Sequence, residues 1–132
     1  MAINAWNLGT GKVANNVSNT MTVTLTDTVS VGEHANGWIW ISSTGTLSSI
    51  TDNRGNTWTV RTATVNGTDR WYWVDCAVTT DLLVGDVITI VASTSSGRKL
   101  SAFHGISGLP STDYFDQQGA GTTGTTNTPW LS

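Results

Sequence analysis

The sequence predicts an all-β protein built from two antiparallel sheets, and composition and periodicity are the two observations that predict it. Among the 132 residues, threonine occurs 24 times and serine 13 times, whereas lysine occurs twice and glutamate once. Good helix formers are therefore scarce, while threonine, valine and seven tryptophans suit a pleated, half-buried surface. Apolar residues also recur with a period of two, which indicates strands. We expect an antiparallel two-sheet β-sandwich, of the jelly-roll or Ig-like type, with extended N- and C-terminal arms.

The individual strands follow from this alternation. Met21, Val23 and Leu25 alternate with threonines, which predicts a strand with one face in the core and a threonine face outward. Further strands are predicted at residues 37–41, 70–76, 87–92 and 100–106. Two of these strands carry tryptophans on one face and mostly aliphatic residues on the other: Trp38 and Trp40 opposite Ile39 and Ile41, and Trp71 and Trp73 opposite Tyr72, Val74 and Cys76.

Two segments rich in Asn, Asp and Gly predict hairpins. Residues 52–56 (DNRGN) lie between predicted strands at residues 47–52 and 56–65. Asp and Asn side chains cap turn backbone, and Gly adopts a positive φ without steric cost. Residues 66–69 (NGTD) carry a second hairpin signal, of the Asn-Gly type.

One segment of the sequence occurs in two similar copies. Residues 25–33 (LTDTVSVGE) resemble residues 78–86 (VTTDLLVGD). Each copy ends in Val-Gly followed by an acid, which predicts a tight corner at the glycine tied by the carboxylate. Convergence on one turn explains this better than duplication of a larger unit.

The chain length corresponds to one domain, which we divide into three parts: an N-terminal arm or first strand at residues 1–19, a β-sandwich domain at residues 20–110, and an extended Gly/Thr-rich C-terminal arm at residues 111–132. Both ends carry apolar anchors beside flexible, glycine-containing sequence. The predicted partner-binding residues are Trp6, Leu8, Trp130 and Leu131. The arms either reach a neighbouring subunit or fold back on their own domain, and the sequence leaves both open.

Composition argues against several classes of function. The formal net charge is −3 and Arg98-Lys99 is the only adjacent basic pair, whereas nucleic-acid binding needs a basic footprint. No apolar run reaches membrane-spanning length, and the first residues lack the basic region of a secretory signal. With one cysteine, Cys76, no intrachain disulfide can form. We therefore expect no nucleic-acid partner and no membrane partner.

No motif predicts catalysis or a bound metal. His34 and His104 are the only histidines, and Gly-x-Ser-x-Gly is absent. One cysteine and two distant histidines do not supply a zinc site. A Cys76–His104 dyad and a calcium site in residues 52–57 are weaker interpretations than an ordinary strand histidine and a self-capped turn. We expect a protein that is not an enzyme and that has no catalytic residues, no metal and no cofactor.

The tryptophans at Trp38, Trp40, Trp71 and Trp73 are the candidates for a binding surface. Tryptophan combines a large apolar area with a polar N–H and is enriched at binding surfaces. These residues could form a platform for sugar rings. They could also pack a core or a subunit interface, which period-two positions within strands favour.

Several segments together resemble a β-sandwich module of tailed-phage virion proteins that also occurs in bacterial surface proteins. The resemblance spans about residues 20–126 and rests on five segments in order: SITDNRGNTWTV at 49–60, WYW at 71–73, LVGDVITI at 83–90, FHGI at 103–106 and FDQ at 115–117. Related modules usually continue with more strands after the point where this sequence stops. The resemblance implies a structural role and no catalytic residues.

This resemblance implies a phage virion structural protein, and we expect a capsid decoration (cementing) protein that binds the outer surface of the head and stabilises it. Its expected partners are the major capsid protein and copies of itself, as a trimer, and its expected location is the capsid surface after assembly in the host cytoplasm. The alternative is a carbohydrate-binding or tail-associated adhesion module that uses exposed tryptophans.

Overall fold

The computed structural model describes residues 3–109, and this part of the chain contains strands and no helix. The strands in chain order are β1 (Asn4–Val13), β2 (Thr20–Thr24), β3 (His34–Ile41), β4 (Leu47–Asp52), β5 (Thr59–Val60), β6 (Thr64–Asn66), β7 (Asp69–Ala77), β8 (Val87–Ala92) and β9 (Lys99–Ser107).

The strands form two antiparallel sheets. Sheet A has the order β1-β9-β3-β7-β5, with β6 also paired to β7, and sheet B has the order β2-β8-β4. Buried side chains of both sheets belong to one hydrophobic cluster, which includes Val23 and Ile88 from sheet B and Ile39, Val74 and Phe103 from sheet A. The predicted class, all-β with two antiparallel sheets, is confirmed.

The predicted division of strand faces is confirmed in the centre of sheet A. Ile39 and Ile41 are fully buried on the core side of β3, and Tyr72 and Val74 are buried on the core side of β7. The intervening tryptophans point to the opposite face. A fixed period of two places alternate residues on opposite faces of a strand, so the sequence pattern alone was sufficient here.

The predicted hairpin between residues 47–52 and 56–65 is wrong. β4 pairs with β8 in sheet B, whereas β5 pairs with β7 in sheet A, so residues 53–58 cross from one sheet to the other. The side chains of Asn53, Arg54 and Asn56 tie this segment to residues 79–87, at the connection between β7 and β8, and do not close a hairpin. The second hairpin is confirmed, because Asn66 pairs with Asp69 across a two-residue loop. Gly67 starts that loop with a φ of 62°, where a type II′ turn places glycine.

The two similar segments at residues 25–33 and 78–86 lie antiparallel to each other. Val29 and Leu82, which correspond in the two copies, exchange both backbone hydrogen bonds at 2.9 Å. Leu25 and Glu33 exchange bonds with the other copy in a symmetric manner: Leu25 N donates to Asp86 O, and Val78 N donates to Glu33 O. The terminal acid ties its own corner in both copies, since Glu33 accepts from Ser30 N and Asp86 from Leu83 N, each at 2.8 Å. The repeat is therefore a pair of sheet-crossing connections with local two-fold symmetry.

Residues 4–13 form the edge strand β1, which pairs with β9. Leu8 is fully buried in the core. Trp6 donates its indole N–H to the carbonyl of Thr28 at 3.0 Å, and its ring covers Gly105 so closely that a Cβ there would lie 2.3 Å from the ring. The structure thus places both N-terminal anchors against their own domain. The C-terminal arm at residues 111–132, with Trp130 and Leu131, lies outside the described residues.

Candidate functional site: the tryptophan face of sheet A

Four indoles project from the side of sheet A that faces away from the core. Trp38 and Trp40 come from β3 and Trp71 and Trp73 from β7, and we call this set the tryptophan face. The register places Trp38 opposite Trp73 and Trp40 opposite Trp71. None of the four belongs to the buried core cluster, so the interpretation that these tryptophans fill the core does not hold.

The indoles contact one another but do not lie in one plane. Trp71 is in contact with Trp38 at a ring-centroid distance of 5.7 Å and with Trp40 at 6.1 Å, with interplanar angles of 52° and 39°. Such tilted aromatic pairs contribute about 0.5–1.5 kcal/mol beyond their buried area. Trp71 remains 39% exposed, and the other three are partly buried. The contacts fix the ring positions while leaving apolar area accessible to a partner.

A row of polar side chains borders the indoles. Asn36 of β3 lies opposite both Asp75 of β7 and His104 of β9, two positions along the strands from the Trp38–Trp73 pair. Residues two apart share a face of the sheet. The exposed side of sheet A therefore carries an indole surface next to amide, carboxylate and imidazole groups.

Arg61 lies against this row and completes it. Its Nε donates to Asp75 Oδ2 at 2.6 Å and its Nη2 to Asp75 Oδ1 at 2.9 Å. The same residue donates its backbone N–H to the carbonyl of Trp73 at 2.8 Å. The Asp75 side chain is 5% exposed and the Arg61 side chain 26%, so the two-point ion pair is mostly desolvated, with its guanidinium on the outer side.

Sequence reasoning missed Arg61 and Asp75. The signal for Asp75 was present, because it continues the Trp71, Trp73 alternation by one more step and must share their face. Arg61 had no such signal. It reaches the site only because residues 53–58 cross to sheet A, where β5 pairs with the edge of β7.

Cys76 and His104, the residues of the alternative catalytic dyad, do not come together in the structure. Cys76 points into the core and His104 to the opposite face of the same sheet, so they form no dyad. Burial, with smaller contributions from the charges of Asp52 and Asp75, raises the pKa of the Cys76 thiol to about 12. The thiol is therefore protonated at neutral pH and unreactive.

The polar side chains of the Asp/Asn-rich segment at residues 52–56 form hydrogen bonds with other groups of the protein. Asp52 accepts from Arg54 N at 2.8 Å and from the Trp58 indole N–H at 2.7 Å. Asn53 and Arg54 donate to the carboxylate of Asp86 at 3.0 and 2.7 Å. Within residues 3–109, no three His, Cys, Asp or Glu side chains cluster in a way that could hold a metal ion.

We expect stability to fall on mild acidification because His34 is buried. His34 is 2% exposed, and burial lowers its pKa below 6.5 although the charge of Asp75 opposes the shift. The unfolded chain therefore binds a proton more readily than the folded protein, so stability decreases as pH falls through 6.5 toward the lower folded-state pKa. Melting curves between pH 7.5 and 5 should show this decrease. It should be reduced in His34→Gln; a slope in His34→Gln equal to that of the parent would contradict the assignment.

The comparisons with known proteins supply no relative. No family model, curated protein or solved structure matches this chain. The part of the chain that the structure describes has no helix long and apolar enough to cross a bilayer.

Proposed function

We propose that this chain is a phage virion structural protein, a capsid decoration protein that binds the outer surface of the head and stabilises it. The resemblance of residues 49–60 and 83–90 to virion modules suggests this function. The observation that carries it is the exposure of aliphatic side chains at equivalent places on two similar connections, Val31 on one and Leu83 with Val84 on the other, which together we call the apolar tip. It lies on the paired connections at residues 25–33 and 78–86.

The apolar tip has the properties of a docking surface. Val31 is 59% exposed, Val84 64% and Leu83 43%, so these aliphatic side chains contribute little to their own core. Their backbone is nevertheless held by the Val29–Leu82 bridge and by the acids at both corners. Rigid presentation reduces the ordering cost of binding.

The mechanism we propose is burial of apolar area between this protein and its shell. A standard protein–protein interface removes about 1,600 Å² of surface from water. Repetition over a symmetric shell multiplies a modest energy per site, and association of copies as a trimer would add avidity. We also propose that the sheets form a sandwich of the jelly-roll or Ig-like type, and that the arm carrying Trp130 and Leu131 contacts the major capsid protein or a neighbouring copy.

Binding to capsids that lack this protein tests the proposal. We expect the purified full chain to sediment with such particles and to raise their heat tolerance, and the Val31→Ser, Val84→Ser double variant to lower occupancy at least tenfold. Val17→Ser is the matched control, because Val17 is 70% exposed in the loop between β1 and β2, at the opposite end of the domain. Failure of the full chain to bind any capsid would overturn the decoration role, and binding to isolated tails alone would replace it with a tail-associated one.

A further inference from the structure

We propose that the tryptophan face, together with Arg61, Asp75 and Asn36, is a binding site for a neutral glycan chain. This goes beyond attachment to a shell, because it assigns the exposed side of sheet A to a ligand outside the particle. It rests on the geometry of this face and not on the decoration role.

The indoles supply the apolar half of such a site. A pyranose ring presents a face of C–H groups, which packs on an aromatic ring, while its hydroxyls point sideways and seek hydrogen bonds. Trp71 is 39% exposed, and its contacts with Trp38 and Trp40 hold it in place. Pre-positioned indoles lose little conformational entropy on binding.

The polar side chains beside the indoles, which we call the polar row, supply the hydrogen-bonding half of the site. Arg61 is fixed on Asp75 by two hydrogen bonds of 2.6 and 2.9 Å and keeps 26% of its side-chain surface exposed. Asn36 and His104 lie in the same row and carry groups that donate and accept hydrogen bonds. A hydroxyl-rich ligand stacked on Trp38 and Trp73 would lie one row away from these groups.

Charge and ring orientation narrow the ligand class. The Arg61 guanidinium is compensated by Asp75 in direct contact, so the polar row provides no net attraction for acidic sugars. The interplanar angles of 52° and 39° do not match a flat crystalline polysaccharide, which needs coplanar rings. They suit a single, soluble, twisted chain whose successive sugars contact different indoles.

Affinity electrophoresis of the full chain tests this inference. Soluble hydroxyethylcellulose, xylan and galactomannan are the neutral probes, and alginate is the acidic probe. Sedimentation with microcrystalline cellulose tests binding to a crystalline polysaccharide. We expect retardation by at least one neutral probe and none by alginate or crystalline cellulose. The Trp71→Ala, Trp73→Ala variant should bind at least tenfold more weakly while still showing a cooperative melting transition well above the assay temperature. Arg61→Lys, which keeps the charge but loses the two-point geometry, should also weaken binding.

Val65→Ala is the matched control, because Val65 is 56% exposed on neighbouring β6 but lies opposite Arg70 and outside the tryptophan face. It should bind like the parent, and so should the apolar-tip double variant, which separates this site from the shell-docking surface. No retardation by any neutral probe, or undiminished binding by the tryptophan variant, would overturn the inference. If the parent protein binds no glycan, and the Trp71→Ala, Trp73→Ala variant loses dimerisation or capsid binding, the tryptophan face is instead a contact with a second copy or with the shell.

Discussion

Trp58→Ala should lower the free energy of unfolding by about 3–5 kcal/mol, the range for removing a large aromatic side chain from a core. Trp58 is 9% exposed and packs edge-on against Phe103 at 5.6 Å and 89°. Its indole N–H also donates to Asp52 Oδ2 at 2.7 Å, so the substitution removes both apolar contacts and a donor to a carboxylate. Urea unfolding followed by far-ultraviolet circular dichroism measures this loss.

Two further variants separate the contributions of Trp58. Trp58→Phe keeps an aromatic ring against Phe103 but removes the hydrogen bond, so we expect a smaller loss of about 1–3 kcal/mol. Trp71→Ala removes an indole of the tryptophan face, and we expect it to destabilise by less than half as much as Trp58→Ala. Equal losses for Trp58→Ala and Trp71→Ala would contradict the distinction between a core tryptophan and a surface that serves binding.

Asn56→Ala should lower the free energy of unfolding by about 3 kcal/mol, because unsatisfied buried polar groups cost about 1–3 kcal/mol each. The Asn56 side-chain oxygen accepts from Thr79 N and Thr80 N, both at 2.9 Å. Its amide nitrogen donates to the carbonyl of Thr80 at 3.0 Å. Asn56 is 7% exposed, so water replaces these partners poorly. The change in unfolding midpoint at constant slope measures the effect.

Asn7→Ala is the control for this substitution. Asn7 lies on the edge strand β1 and is exposed, so the same change there should alter stability by less than about 0.5 kcal/mol. Asn56→Ser keeps one short oxygen and should fall between the parent and the alanine variant. A loss below 1 kcal/mol for Asn56→Ala would show that the crossing segment does not depend on this amide.

The sequence was most informative where a pattern depends on backbone geometry alone. Alternation placed Ile39 and Ile41 in the core and the tryptophans of β3 on the other face, because the pleat has a fixed period. It was least informative about which strands pair. The turn at residues 52–56 has the residues of a hairpin, yet its side chains bond to residues 79–87, which are distant in sequence.

Lys99 illustrates the same division between local pattern and long-range contact. It belongs to the only adjacent basic pair, which indicates a solvated residue, yet it is 1% exposed. Its ammonium donates to the carbonyls of Ser95, Ser96 and Gly97 at 3.3–3.5 Å. Burial lowers the pKa of this side chain, and the carbonyl contacts compensate part of the desolvation cost. Nothing within the local sequence specifies this arrangement.

By itself, the sequence determined the all-β class, the faces of the central strands and the Gly67 hairpin, since each follows from side-chain alternation or from backbone preferences of neighbouring residues. Only the tertiary structure decided the order of strands in the two sheets, the pairing of the two similar connections, and the meeting of Arg61 with Asp75 beside the tryptophans. These features depend on contacts between residues far apart in the chain. Such contacts are decided by the free energy of the whole fold, and they produce no periodic pattern in the sequence.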